Sequence, residues 1–390
     1  MSSSTPLYNQ LFSLLSQHSK YRDLRHLKAL VWMILGLIQS GKISLSEWEC
    51  YIPSRATKAQ SFERRWQRFV SNQRIRVRSL YVPLVLGAIK NWHSQRLNIA
   101  LDTTMLWNRF CIIHLSIVCG GRAVPFLWKV LEHKSSTVAF REYKLMLRLA
   151  AKLLSSYHNV MLLADRGFAN HELVNWLQNS NWHYCLRLPC DVILHGVRKH
   201  PIELKYLCPQ KSEAVLCRDV GLWIDGKYRC HAVLANVKGV QEPWAVITDE
   251  APSLQTLWQY ALRFRVEELF LDSKSGVFQL EDSKIRHPRA LERLYLIIAL
   301  ALLFATCHGM TLQLKGLRTQ VDPHWKRGLS YLKIGLRWLK GVLHKGRDLF
   351  FPTTLLSQDI QPCFASKKAK KQYYDAIWFS RIQEIKCHSN

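Results

Sequence analysis

The stretch that decides the fold is Asn159-Val160-Met161-Leu162-Leu163-Ala164-Asp165-Arg166-Gly167-Phe168. Six residues without a charge, too few for a helix and apolar after Asn159, read as a strand buried on both faces, the kind found inside a parallel sheet. The strand delivers Asp165 at its carboxyl end, and Gly167 is expected to let the backbone turn sharply just after it. The carboxyl ends of strands are where α/β sheets carry their sites. A second segment repeats the device: Leu97 to Leu101 reads as a strand and hands over to Asp102-Thr103-Thr104. Singly, an acid in such a place is most often a turn or cap residue.

Outward from these segments the texture alternates. Cys111 to Val118 and Val124 to Val130 read as strands separated by Gly120-Gly121, and a helix is expected from about Val138 to Ser155. From 181 to 248 short strands recur, at Tyr184–Leu188, Asp191–Leu194, Leu216–Val220, Tyr228–Leu234 and Trp244–Ile247, which makes a β-rich insertion. A long helix from about Ser253 to Phe270 follows. Residues 1–96 are helical, with apolar positions such as Leu30, Val31, Ile34, Leu35 and Ile38 at helical spacing. Ser44-Leu45-Ser46-Glu47 reads as a capped helix start, ended by Ile52-Pro53-Ser54. Residues 309–390 read as a basic helical region that includes the tract Lys367-Lys368-Ala369-Lys370-Lys371. The expected division is thus 1–96, a core of 97–180 with 249–308, an insertion of 181–248, and 309–390.

Charge narrows the function. The chain of 390 residues carries 55 Lys and Arg against 28 Asp and Glu, a net +27, which favours a polyanionic partner, nucleic acid first. The excess sits at both ends: residues 1–96 hold fifteen basic and four acidic residues, and residues from 309 onward fifteen and five. In Phe62-Glu63-Arg64-Arg65-Trp66-Gln67-Arg68-Phe69 the aromatic residues share one helical face, leaving Arg64, Arg65 and Arg68 to meet phosphates or base edges. The longest apolar run, Leu294 to Ala305, falls short of the ~20 residues a bilayer needs, so a buried helix and no membrane partner are expected. The start has no apolar leader segment, and the eleven cysteines lack paired spacing, which fits reduced thiols in a cytosol. His183, Cys185 and Cys190 lie close together, but no second cluster completes a zinc site.

The third acid stands in Tyr260-Ala261-Leu262-Arg263-Phe264-Arg265-Val266-Glu267-Glu268-Leu269-Phe270-Leu271-Asp272-Ser273-Lys274. Tyr260, Arg263, Glu267 and Lys274 are three, four and seven residues apart in turn, one stripe of a regular helix. Glu268 points elsewhere and is expected to pair with a basic neighbour. Phosphodiester cleavage needs an attacking and a leaving oxygen in line, and two metal ions about 4 Å apart stabilise both. Asp102, Asp165 and Glu267 are the hard oxygen ligands that would hold two Mg²⁺, or Mn²⁺ in its place, while Tyr260, Arg263 and Lys274 hold the phosphate backbone.

These three motifs closely resemble the cut-and-paste bacterial transposases of the insertion sequence four family, whose third acid lies in a Tyr-x2-Arg-x3-Glu-x6-Lys signature. The resemblance runs from about residue 30 to 345. It implies an α/β, ribonuclease H-like core interrupted by a β-rich insertion between the second Asp and the Glu, with helical regions on either side. It implies nicking at terminal inverted repeats, hairpin formation and opening, and strand transfer into target DNA, by a homodimer in a bacterial cytoplasm whose N-terminal region reads the ends. Trp244 stands where similar transposases carry a tryptophan that stacks on a flipped-out base; a core tryptophan is the other reading. Two alternatives stay open: a DNA-binding protein that has lost turnover, and a nuclease on the same core that never joins strands.

Overall fold

The computed structural model describes residues 5–19, 21–53, 58–238, 240–323, 329–358 and 379–386; the basic tract at 367–371 and Arg55 lie outside them. The chain divides into two compact units, the first comprising 1–92, 103–136 and 265–363, the second 93–102, 137–264 and 364–390.

The first unit begins with helices α1 (Thr5–His18), α2 (Leu24–Ser40), α3 (Ala59–Ser71) and α4 (Val77–Ala88). Asp23 caps α2 by accepting from the backbone N–H groups of Arg25 and His26, the pairing that an N-cap acid supplies. Phe62, Trp66 and Phe69 are buried under α3 while Arg64, Arg65 and Arg68 stay exposed, as their spacing predicts. Between α2 and α3 the expected helix is absent: Glu49–Tyr51 form one 3-10 turn, too short a segment to repay helix nucleation before Pro53.

Strand β1 (Leu97–Leu106) starts in the second unit and ends in the first, where β2 (Phe110–Cys119) and β3 (Arg122–Glu132) extend an antiparallel meander in the order β3-β2-β1. Every residue of β2 is buried. In the second unit α5 (Phe140–Leu153) leads to β4 (Val160–Ala164), α6 (His171–Gln178) and β5 (Trp182–Arg187). There β1, β4 and β5 run parallel, in the register Leu97↔Val160 to Leu101↔Ala164 and Val160↔Trp182 to Ala164↔Leu186. A meander and a parallel run meeting in one strand make a mixed α/β, ribonuclease H-like core. The β-rich insertion follows as β6 (Ile193–His195), β7 (Ile202–Glu203), β8 (Glu213–Leu222), β9 (Tyr228–Ala235) and β10 (Trp244–Thr248), continuing the sheet as β5-β10-β9-β8-β6-β7.

The expected helix over 253–270 is interrupted. After α7 (Leu254–Ala261), Leu262–Phe264 tighten into a 3-10 turn; α8 (Arg265–Leu271) resumes, and Asp272–Gly276 widen into a π turn. In 3-10 geometry side chains three apart eclipse, which turns Arg263 over Tyr260. The boundary between the units falls between Phe264 and Arg265.

Helix α9 (Pro288–Leu314) is the core of the first unit. The apolar run seen in the sequence is only its middle: at 27 residues it is long and apolar enough to cross a membrane, yet 94 % of its most apolar window is buried inside the protein. A helix apolar all round is a core helix when other helices cover it, and α10 (Tyr331–Lys345) does so along with α2. Past α10 the chain is not helical throughout: β11 (Arg381–Lys386) adds parallel to β8 in the second unit.

Two histidines are sealed into the first unit. His114 packs against Phe270 and Tyr295, and neither of its ring nitrogens has a hydrogen-bond partner among the described residues. Burial holds His114 down at about 3 and His308 at about 4. Both stay neutral in the folded chain while the unfolded chain charges them below about 6.5. Each therefore costs about 1.4 kcal/mol per pH unit as acid is added below that value, down to its own folded pKa. We expect the urea midpoint to fall steadily from about pH 6.5 to about pH 4, and His114→Leu to flatten that slope; an unchanged slope would exclude His114 as a source.

Candidate active site

The register of the parallel run places the acids. Pairing of β1 with β4 ends at Leu101↔Ala164, so the next residue on each strand is an aspartate, Asp102 and Asp165, on neighbouring strands about 4.8 Å apart. Asp102 lies inside β1 rather than at its end, because β1 runs on to Leu106. After Asp165 the chain enters a 3-10 turn, Arg166–Phe168. Gly167 is outside the left-handed region, and a Cβ there would meet nothing within 4 Å. Contrary to the sequence reading, the turn does not need its glycine.

Tyr260 and Arg263 each meet a different aspartate. Arg263, its side chain 6 % exposed, donates from Nη1 to Asp102 Oδ2 at 2.5 Å. Its guanidinium lies 4.7 Å from the centre of the Phe264 ring and 5.8 Å from that of Tyr260. Tyr260 donates from Oη to Asp165 Oδ1 at 3.2 Å. Burial pushes the Tyr260 hydroxyl up to about 12, so it remains a donor at any physiological pH. Trp244, on β10 and buried, packs edge-on against Tyr260 with ring centres 5.2 Å apart. The tryptophan thereby fixes the ring that reaches Asp165.

Three charged residues that the sequence reading did not select complete the surroundings. Arg187, on β5, sets Nη1 4.0 Å from Asp165 Oδ1. It also donates from Nη2 to Glu242 Oε2 at 3.3 Å and to the Pro243 carbonyl at 3.4 Å. Arg166 donates to the same Glu242 oxygen at 2.6 Å. A signal existed for Arg187: a charge within the otherwise apolar run Tyr184 to Leu188 has to be paired or functional.

The second unit thus gathers Asp102, Asp165, Tyr260, Arg263 and Trp244. Glu267 and Lys274 belong to the first unit. Glu267 is exposed on α8, and Lys274, in the π turn, sets Nζ 3.4 Å from Glu281 Oε1. Glu268 has the basic partners expected of it: Arg122 at 2.7 Å and Arg265 at 3.5 Å, with Arg122 also paired to Asp272.

Among the described residues no three His, Cys, Asp or Glu side chains form one metal-binding group. The donor chemistry of the aspartate pair nonetheless fits a hard divalent cation: two carboxylates side by side, 14 % and 34 % exposed, offer oxygen ligands that water can reach. Cys185 differs, a thiol buried and pushed up to about 12, and His183 is engaged with Asp249 at 2.7 Å.

No curated protein matches the sequence. Among solved structures, one described as a cryo-EM structure of a piggyBac transposase synaptic complex with hairpin DNA is similar at 10 % identity and a TM-score of 0.42, over 89 % of this chain and 82 % of that one. The family described as "Transposase DDE domain" matches residues 107–304. That span holds Asp165 and the whole segment from Tyr260 to Lys274, and Asp102 lies just ahead of it. As the match takes in just over half of the chain, this protein belongs to the transposases with a DDE domain.

Proposed function

We propose that the chain is a cut-and-paste transposase of the insertion sequence four type, acting as a homodimer on double-stranded DNA in a bacterial cytoplasm. The observation that supports it best is that Asp102 and Asp165 sit at neighbouring strand positions, each engaged by a different residue of the signature. Asp102, Asp165 and Glu267 would hold two Mg²⁺ ions, with Mn²⁺ able to replace them. When bound, such ions stabilise the attacking and leaving oxygens of an in-line displacement at phosphorus.

The chain's own residues do the rest. Arg263 keeps the Asp102 carboxylate oriented, and Tyr260 does the same for Asp165 as a permanent hydrogen-bond donor. Arg166, Arg187 and Lys274 supply guanidinium and ammonium groups for the phosphates flanking the cut. The arginines Arg64, Arg65 and Arg68 form a separate exposed basic face for the terminal repeats. In the reaction a water-derived oxygen cuts the P–O bond and frees a 3′-hydroxyl. That hydroxyl attacks a phosphodiester of the opposite strand and expels the flanking DNA's 3′-oxygen, closing a hairpin. Water hydrolyses the hairpin phosphodiester to regenerate the 3′-hydroxyl, which then attacks a target phosphodiester and expels the target's 3′-oxygen. Trp244 would stack on a base unpaired near the hairpin, which requires its packing against Tyr260 to open; such stacking contributes ~1–3 kcal/mol.

The test is incubation of the protein with a labelled duplex ending in its element's own terminal repeat, with Mg²⁺ or with EDTA. The expected result is metal-dependent nicking followed by a hairpin and a joined product, all absent in Glu267→Ala. Binding without cleavage under any divalent metal would refute the enzyme, and cleavage without joining would refute transposition.

A further inference from the structure

Arg166 and Arg187 lie on different elements, yet both converge on a single oxygen, Oε2 of Glu242. We propose that Glu242 stands in for a DNA phosphate in the DNA-free chain, holding these two arginines beside Asp165 until a phosphodiester displaces it. The proposal rests on the reading of DNA as substrate and adds a residue that sets when and where the substrate is gripped.

Three observations carry it. First, the guanidinium fork presents the same donor geometry to a carboxylate and to a phosphate, so the place that Glu242 fills is one that a phosphate oxygen can fill. Second, Arg187 is nearly buried, and its Nε has no hydrogen-bond partner among the described residues. It is committed to this position and keeps a donor that Glu242 does not use. Third, Glu242 is itself about half exposed, as is Arg166. Ion pairs so open to water are weak and exchange readily, so the carboxylate can leave without unfolding anything. Pro243 follows directly and restricts the Glu242 backbone to extended conformations as the chain enters β10 at Trp244.

The consequence is discrimination. A phosphate close enough to Asp165 to take both guanidinium groups replaces what it breaks. A phosphate that meets only the outer Arg166 leaves the pair of Glu242 with Arg187 intact. Glu242 thereby weakens general DNA binding and favours backbone seated at the aspartates.

The experiment measures binding of a short fluorescein-labelled duplex of arbitrary sequence by the full chain at about 0.1 M salt. Glu242→Gln is expected to tighten binding by roughly threefold to tenfold, and combining it with Arg187→Gln is expected to abolish that gain, as coupled residues require. Glu242→Asp, which keeps the charge but draws it back by one methylene, is expected to fall between wild type and Glu242→Gln. Unchanged or weaker binding by Glu242→Gln, with wild type binding normally, would overturn the proposal alone. A wild-type chain that binds no duplex would overturn the DNA reading and the proposal with it.

Discussion

Replacing Asp165 with asparagine is expected to slow strand cleavage by at least about a hundredfold, the scale on which losing one electrostatic partner of a phosphoryl or acyl transfer is felt, while DNA binding stays within about twofold. The side chain is 34 % exposed, and an amide oxygen still accepts from Tyr260, so the fold has little to lose. The same change at Asp102 has a second cost. Its partner Arg263 is only 6 % exposed, and taking away the countercharge of a buried guanidinium destabilises by ~3 kcal/mol or more. Asp102→Asn should therefore lose both cleavage and stability, and Asp165→Asn cleavage alone. Parallel single-turnover cleavage and urea unfolding of the two variants separate these outcomes. Equal stability of both would show that Asp102 and Arg263 are not the coupled pair described.

Gly335→Ala is expected to be the most damaging single-methyl addition in the first unit. Gly335 on α10 faces the Ala305 carbonyl of α9, and Gly309 on α9 faces the Tyr331 carbonyl of α10; a Cβ at either glycine would lie inside the backbone of the opposite helix. Flexible side chains yield to an added methyl, but helix backbone does not. The two helices must separate along a buried contact, at a cost of at least about 1–3 kcal/mol. Gly87→Ala, on α4, is the control: a Cβ there meets nothing within 4 Å, and alanine favours a helix interior over glycine by about 0.5–1 kcal/mol. Urea midpoints should move in opposite directions for the two variants. A Gly335→Ala protein as stable as wild type would contradict the close crossing.

What the sequence made legible, and what it hid, follows from how far each signal reaches. The strand before Asp165 and the aromatic face of α3 were readable because burial writes itself into consecutive or periodic side chains. β11 was not: its residues 381–384 are exposed, and it joins the sheet by backbone pairing with β8 and an ion pair of Glu384 with Arg218, which leaves no buried apolar pattern. Nor were the 3-10 and π interruptions between Ala261 and Gly276, since three to five residues cannot distinguish periods of 3.0, 3.6 and 4.4. The spacing of Tyr260 and Arg263 marked them as a pair, but not that they divide their attention between two aspartates. The clamp of Glu242 on Arg166 and Arg187 spans 76 and 55 residues of sequence and obeys no local rule. Only the strand order brings its parts together.

Whether Asp102, Asp165 and Glu267 hold the divalent metal together, as proposed, is read out by letting Fe²⁺ replace Mg²⁺ in the protein without DNA and adding ascorbate and peroxide, so that hydroxyl radicals cut the polypeptide where the metal sits. Cuts are expected only in the chain around residues 102, 165 and 267, suppressed by excess Mg²⁺ and lost in Asp165→Asn. Cuts elsewhere, or cuts that Mg²⁺ does not suppress, would contradict it.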